Sequence, residues 1–146
     1  MFDFEENHVL LTISTTHQPA TELGFLLHKN PGSLHEVSLP FGTARVVYPE
    51  ATPDRCTAAV LVQVDPVGLV RSGRQGQGSF SLAQYVNDRP YVASSFLSVA
   101  INKLFGTAMS GRSKDRPELV DVALPVVVGV PVLPCRGGDQ VLRRLF

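Results

Sequence analysis

The sequence has few cysteines and few charged residues, and both shortages limit the possible class of protein. Only two cysteines occur in 146 residues, with no CxxC motif, which excludes a disulfide-rich secreted scaffold. A reduced, cytoplasmic setting is the simpler interpretation, although a Cys56–Cys135 bridge stays open. Charged residues make up 18% of the chain, and 13 basic residues balance 13 acidic ones. Since the formal net charge is zero, nucleic-acid binding would need a local basic patch.

Patterns that bind metals or catalyse reactions are also missing from the sequence. The four histidines are scattered, without the close spacing of a metal site: His8, His17, His28 and His35. No GxSxG, SxxK or GxxxxGK[ST] motif is present. The glycines of residues 71–80 do not directly follow a predicted strand, as a phosphate-binding loop would require, so this segment is predicted to be a surface loop. We therefore expect no catalytic, cofactor-binding or metal-binding residue.

The ends of the chain and its most apolar stretch give no indication of membrane targeting. The start, MFDFEENH, is acidic and unlike a secretory signal. The apolar stretch Val122–Cys135 contains three prolines and is too short to span a bilayer. We expect residues 1–9 to be an N-terminal extension or scar, and residues 10–146 to form one domain. The chain stops inside a predicted helix, which indicates a fragment of a longer protein.

Hydrophobic periodicity predicts an α+β fold, with an antiparallel meander packed against one long helix plus shorter helices. The predicted strands are Val9–Thr15, Leu34–Leu39, Thr43–Tyr48, Thr57–Val64 and one or two short strands within Val122–Leu133. The predicted helices are Pro19–Lys29 with Thr21 as its cap, a turn at Ser81–Val86, Val92–Ser110, and a last helix capped by Asp139. The long helix has one apolar stripe: Ala93, Leu97, Ala100, Ile101, Leu104 and Ala108. Gly111 follows where a helix-terminating glycine belongs.

Two segments are candidates for binding. The basic residues of GRSKDR (residues 111–116) follow the long helix and are compatible with a solvated loop, a protein partner or RNA phosphates. The segment NDRPY (residues 87–91) contains Arg89 and Tyr91, residue types enriched at interface hot spots. A structural corner leading into the helix explains NDRPY equally well.

Several stretches resemble one known family. They are QYVNDRPYVASSFLSVA (residues 84–100), LLTISTTHQPATELGFLLHK (10–29), LPFGTARVVYPEAT (39–52), VDPVGLVR (64–71), GRSKDRPEL (111–119) and LPCRGGDQVLRRLF (133–146). In this order they resemble the N-terminal domain of the bacterial RNA 3′-terminal ribose 2′-O-methyltransferase. That enzyme works in RNA repair with the polynucleotide kinase-phosphatase-ligase Pnkp.

The resemblance implies a non-catalytic domain that binds the ligase domain of Pnkp and activates its adenylylation and RNA sealing. It also implies a hetero-oligomer with two copies of each protein. S-adenosylmethionine and a divalent metal are expected only in the C-terminal methyltransferase half, which is absent here. The partner-binding residues implied by the resemblance are Asn87, Asp88, Arg89, Tyr91, Ser94, Ser95, Arg112, Ser113 and Lys114. Two alternatives are a module that binds RNA ends and presents them to a neighbouring enzyme, and a scaffold that only dimerises.

Overall fold

The structure, a computed structural model, describes residues 8–65, 67, 89–131 and 137–145. The strands are β1 (His8–Thr15), β2 (His35–Leu39), β3 (Gly42–Ala51), β4 (Cys56–Val64) and β5 (Val127–Gly129). The helices are α1 (Glu22–Leu26), α2 (Arg89–Met109) and α3 (Asp139–Leu145), with a 3-10 turn at Pro117–Leu119. No helix in these ranges is long and apolar enough to cross a membrane. The predicted turn at 81–86, the glycine loop at 71–80 and Cys135 lie outside the described residues.

The strands form one five-stranded antiparallel sheet in the order β2-β3-β4-β1-β5, so the chain has the predicted mixed α/β character. Consecutive strands are neighbours from β2 to β4, as in a meander. Beyond β4 the order changes, because β1 pairs with β4 along its whole length and β5 then pairs with β1. The first and last strands of the sequence therefore pair at one edge of the sheet.

Buried and exposed side chains alternate along β3, so one face of the sheet forms part of the hydrophobic core. In β3, Ala44 and Val46 are fully buried while Arg45 between them is exposed. In β4, Val60 and Val62 are likewise fully buried. Successive side chains of a strand point to opposite faces, so these apolar residues share one face. That face packs against α2.

The apolar stripe predicted for α2 does face the sheet. Ala100 and Leu104 are buried, and Leu97, Ile101 and Ala108 pack against the same cluster. Two aromatic residues add to this contact beyond the prediction. Phe105 is buried beside Leu104, and Phe96 stacks on Phe41 with ring centroids 4.1 Å apart. The side chain of Ala93 lies outside the described part of the helix.

The ends of α1 and the start of α3 differ from the predicted helix bounds. α1 is one turn long and starts at Glu22; Thr21 precedes it but makes no capping hydrogen bond with its side chain, contrary to prediction. It ends early because the chain enters a left-handed conformation at His28, with φ of 54°. Asp139 is the first helical residue of α3 rather than its cap. Gly111 follows α2 with φ of 68°, as predicted for a terminating glycine.

Gly42 occupies a position where any side chain would collide with the backbone of the neighbouring strand. Gly42 begins β3 with φ of 150°, and a Cβ there would lie 1.9 Å from the main-chain oxygen of Gln63. The tight turn at Pro40-Phe41 therefore requires both the backbone freedom and the small size of glycine. The turn directs the buried Phe41 ring into the core, where it meets α2.

Candidate functional site

The predicted partner-binding residues fall at the two opposite ends of α2. The backbone of Arg89, Tyr91, Ser94 and Ser95 forms its first turns, whereas Arg112, Ser113 and Lys114 follow its last turn. A 21-residue helix is about 30 Å long at roughly 1.5 Å per residue. The two groups are therefore not brought together, and Asn87 and Asp88 lie outside the described residues. The side chains at the start of α2 also lie outside the described residues.

The segment Gly111–Arg116, here called the basic loop, is held against α1 by a histidine. His28 lies two residues after α1, and its Nε2 is 2.5 Å from the main-chain oxygen of Arg112. Because a carbonyl oxygen only accepts, Nε2 must donate and therefore carries the proton. The left-handed conformation of His28 thus places its ring where it fixes the start of the basic loop.

Two further residues of the basic loop have structural roles. Ser113 accepts a hydrogen bond at its Oγ from the main-chain N–H of Arg116, at 3.3 Å. Arg116 donates to Glu22 of α1 at 3.1 Å and forms a second, short ion pair with Glu118. Its guanidinium also lies 5.6 Å from the ring centroid of Phe25. The pair with Glu118 raises the pKa of Arg116 and lowers that of Glu118.

The remaining basic side chains of the loop are exposed. Neither Arg112 nor Lys114 forms an ion pair within the described part of the chain. Both line a pocket of about 530 Å³ together with His28 and Asp121. It is here called the polar pocket after these four side chains, although most of its lining surface is apolar. Arg112 and Lys114 are thus the exposed cations of the predicted segment, whereas Ser113 and Arg116 make hydrogen bonds within the fold. Binding of a partner by these residues stays a prediction.

Beside the basic loop runs an apolar groove of about 430 Å³, which sequence reasoning missed. Its walls are Ile13 from β1, Leu23, Leu26 and Leu27 around α1, Ile101, Phe105, Ala108 and Met109 from α2, and Val120, Val122, Leu124, Val126 and Val128. Gly111 and Arg112 complete the lining. The groove and the polar pocket share Gly111, Arg112 and Val120, so the two lie next to each other.

The sequence does contain a pattern that indicates the groove. Every second residue from Val120 to Val128 lines it. Val120 itself is helical, with φ of −62° and ψ of −36°, and from Val122 onward the spacing is that of an extended chain, which ends in β5. Hydroxyl groups of β1 hold this extended segment in place. Thr15 donates to the main-chain oxygen of Pro125 at 2.7 Å, and Thr12 and Ser14 make longer bonds of 3.4 and 3.5 Å to Gly129 and Val127.

The buried polar groups near the groove have structural partners. Tyr48 donates its hydroxyl to the main-chain oxygen of Lys29 at 2.8 Å, and burial raises its pKa. Burial lowers the pKa of Lys29, whose Nζ lies 5.9 Å from the ring centroid of Phe105. Cys56 is a buried free thiol whose pKa is raised by burial. In the described ranges, no group of three or more His, Cys, Asp or Glu residues is placed to hold a metal ion.

The chain is a mixed α/β domain with an open apolar groove beside exposed cations, a kind of surface that is typical of protein association. The family model described as "RNA repair, ligase-Pnkp-associating, region of Hen1" matches residues 9–146, so the chain belongs to that family. This match confirms the resemblance seen in the sequence, and its description is of an associating region rather than a catalytic domain. No curated protein matches the chain.

Proposed function

We propose that this chain binds the ligase domain of Pnkp and activates its adenylylation, and so promotes RNA sealing. The observation that carries this proposal is the family match over residues 9–146, described as ligase-Pnkp-associating. The open groove supports it, because a domain that acts by association needs apolar surface for a partner to cover. The exposed cations Arg112 and Lys114 supply a polar margin to that surface.

Activation by this domain would require no catalytic group of its own. Binding that favours the ligase conformation able to react with ATP shifts an equilibrium between conformations that the ligase already has. The size of the shift equals the difference in the affinity of the domain for the two conformations. We further propose a cytoplasmic assembly with two copies of each protein.

The methyltransferase chemistry would belong to the other half of the family protein, together with S-adenosylmethionine and a divalent metal. Calorimetric titration of this chain with S-adenosylmethionine should accordingly give no heat of binding. Micromolar affinity would contradict this division of roles.

The direct test is a mixture of purified chain and Pnkp. Size-exclusion chromatography should give a stable complex, and labelled ATP should transfer more adenylate to the ligase than in Pnkp alone. An unrelated domain of similar size serves as the control. Absence of a complex would contradict the proposal, and a complex without increased adenylylation would limit it to association.

The partner-binding residues predicted at the start of α2 can be tested in the same assay. If Arg89 and Tyr91 anchor the ligase, Arg89→Ala and Tyr91→Ala should each weaken Pnkp binding about tenfold or more, as truncated hot spots do. Adenylylation should fall, and excess variant should restore it. Arg144→Ala, in the exposed helix α3, is a matched control. Loss of folded structure in both variants would instead assign NDRPY to a structural corner.

A second candidate is the RNA-end-binding module, which is favoured by the exposed Arg112 and Lys114. Cations that contact phosphates make affinity fall with rising salt. The isolated chain should then bind an RNA 3′ end with an affinity that falls as salt rises and does not change when Pnkp is added. That result would support this candidate. Self-association without binding to either partner would support the scaffold.

A further inference from the structure

We propose that the apolar groove, which lies along the second half of α2, is a ligase-docking site, and that its occupant is a segment of the ligase with apolar side chains next to an acidic residue. This inference rests on the proposed function and specifies the surface used. The apolar side chains would enter the groove, and the acidic residue would lie over Arg112 and Lys114. The groove and the polar pocket are adjacent, since they share lining residues, so one segment can reach both.

The first argument is the grouping of exposed apolar side chains on the walls of the groove. Met109 is 67% exposed, Val128 56%, Val122 48% and Val126 46%. Single exposed apolar residues are ordinary on protein surfaces, but these four line the same groove. Contiguous apolar surface of this kind is typical of an interaction site, because covering it removes apolar area from water.

The second argument is the chemistry of the lining. Apart from Arg112, every side chain that lines the groove is apolar, and the buried side-chain polar atoms of the described residues all have partners. A nucleotide or another polar small molecule needs several polar groups that converge on it. RNA needs cations along its backbone and would leave the apolar walls uncovered. Apolar side chains of a protein segment fit this lining.

The third argument is charge. The available cations at the polar end of the groove, Arg112 and Lys114, outnumber the one acidic lining residue, Asp121. An acidic group on the occupant would therefore meet a complementary field. A second copy of this chain fits poorly through its own exposed amphipathic helix, because α3 has Arg143 and Arg144 in its last turn. These would add like charge beside Arg112.

Two neighbouring residues of β5 provide a matched pair of variants for the test. Val128 pairs with Ile13 and lines the groove, whereas Val127 pairs with Ser14, is 69% exposed and does not line it. Val128→Asp should weaken the affinity of this chain for Pnkp about tenfold or more, and Val127→Asp by less than about threefold. Calorimetry or biolayer interferometry with purified Pnkp measures both affinities.

A variant outside the sheet shows whether weaker binding arises from the groove itself or from loss of folded structure. Met109 is exposed at the end of α2, so Met109→Ser removes one apolar side chain from the groove lining and leaves the core intact. It should also weaken Pnkp binding about tenfold, with the thermal unfolding midpoint close to that of the wild type. Arg112→Glu should weaken binding further as ionic strength is lowered, because the introduced charge repels the acidic residue of the occupant.

The outcomes separate this inference from the function on which it rests. If wild-type chain does not bind Pnkp, the proposed function itself is wrong. If it binds, and Val128→Asp and Met109→Ser match Val127→Asp in affinity, the groove is not the docking site although the function stands. If the groove variants instead reduce self-association in ultracentrifugation, or RNA binding, with unchanged Pnkp affinity, the occupant is a second copy or RNA and the inference is wrong.

Discussion

Replacement of Thr15 by valine should destabilise the domain by removing the strongest tie between β1 and the extended segment that forms one wall of the groove. Thr15 is buried, with 3% of its surface exposed, and donates its hydroxyl to the main-chain oxygen of Pro125 at 2.7 Å. Valine has nearly the same shape, so packing is preserved while the hydroxyl is lost. That hydroxyl also accepts a hydrogen bond from the main-chain N–H of His17 at 3.2 Å, and this second bond is lost with it. The oxygen of Pro125 then loses this partner.

The magnitude follows from burial and bond length. Removing one partner of a buried hydrogen bond costs about 1–3 kcal/mol, and the partial burial of this bond favours the lower half of that range. We expect a loss of about 1–2 kcal/mol in the free energy of unfolding, and a decrease in melting temperature of roughly 3–6 °C. Thr12→Val is the matched control. Its bond to Gly129 is longer, at 3.4 Å, and should contribute about 0.5 kcal/mol or less.

Urea unfolding followed by circular dichroism measures both variants. An unchanged dependence of the unfolding free energy on urea would show that the two native states stay equally compact. The affinity for Pnkp should fall modestly in Thr15→Val and not in Thr12→Val, because only Thr15 holds the segment at Pro125. Equal stability of Thr15→Val and wild type, or equal losses in the two variants, would refute this account of how the wall is held.

Three further perturbations test the core, the turn and the ion pair. Leu104→Ala should lower the free energy of unfolding by about 2–5 kcal/mol, and Leu97→Ala by less, since Leu104 is almost fully enclosed and Leu97 only half-buried. Equal losses for the two variants in urea unfolding would mean that the core-facing side of α2 has been assigned incorrectly. Gly42→Ala should cost at least about 2 kcal/mol in the same assay, because a Cβ would collide with backbone; a near-neutral result would contradict this geometry. The pairing with Arg116 lowers the pKa of Glu118 from 4.5, so its contribution to stability is present above about pH 4.5 and is lost as the pH falls through the folded value. The urea midpoint of the wild type should therefore fall more steeply below pH 4.5 than that of Arg116→Ala. If the midpoints of the two proteins fall in parallel with pH, the Arg116–Glu118 pair does not contribute to stability.

Periodicity predicted much of the fold because its strands and main helix each have one buried face. The predicted strand Val9–Thr15 differs by one residue from β1, and the predicted helix Val92–Ser110 differs from α2 by three residues at its start and one at its end. The single-turn helix α1 was predicted too long. A helix this short depends on tertiary contacts rather than on propensity, and here the contact of His28 with the basic loop sets its end.

The candidate site was predicted less well, because its walls come from segments far apart in the sequence. Arg112 and Lys114 were predicted from their charge and do line the polar pocket. The groove beside them brings Ile13 next to Val128, and a pattern within one segment cannot reveal that contact. The alternation from Val120 to Val128 was visible, but Pro125 within it favoured short edge strands over a groove wall.

The pairing of β1 with β5 also has a consequence for when the docking surface exists. Thr15 and Pro125 are 110 positions apart, so the wall of the groove depends on a contact of high sequence separation. The loop-closure entropy of such a contact must be overcome before it can form. During synthesis, the hairpins of β2, β3 and β4 can pair before Val128 has left the ribosome, whereas the groove can form only afterwards. Recognition through this groove would therefore select finished copies of the domain, and partly synthesised or partly unfolded chains would not compete for the ligase.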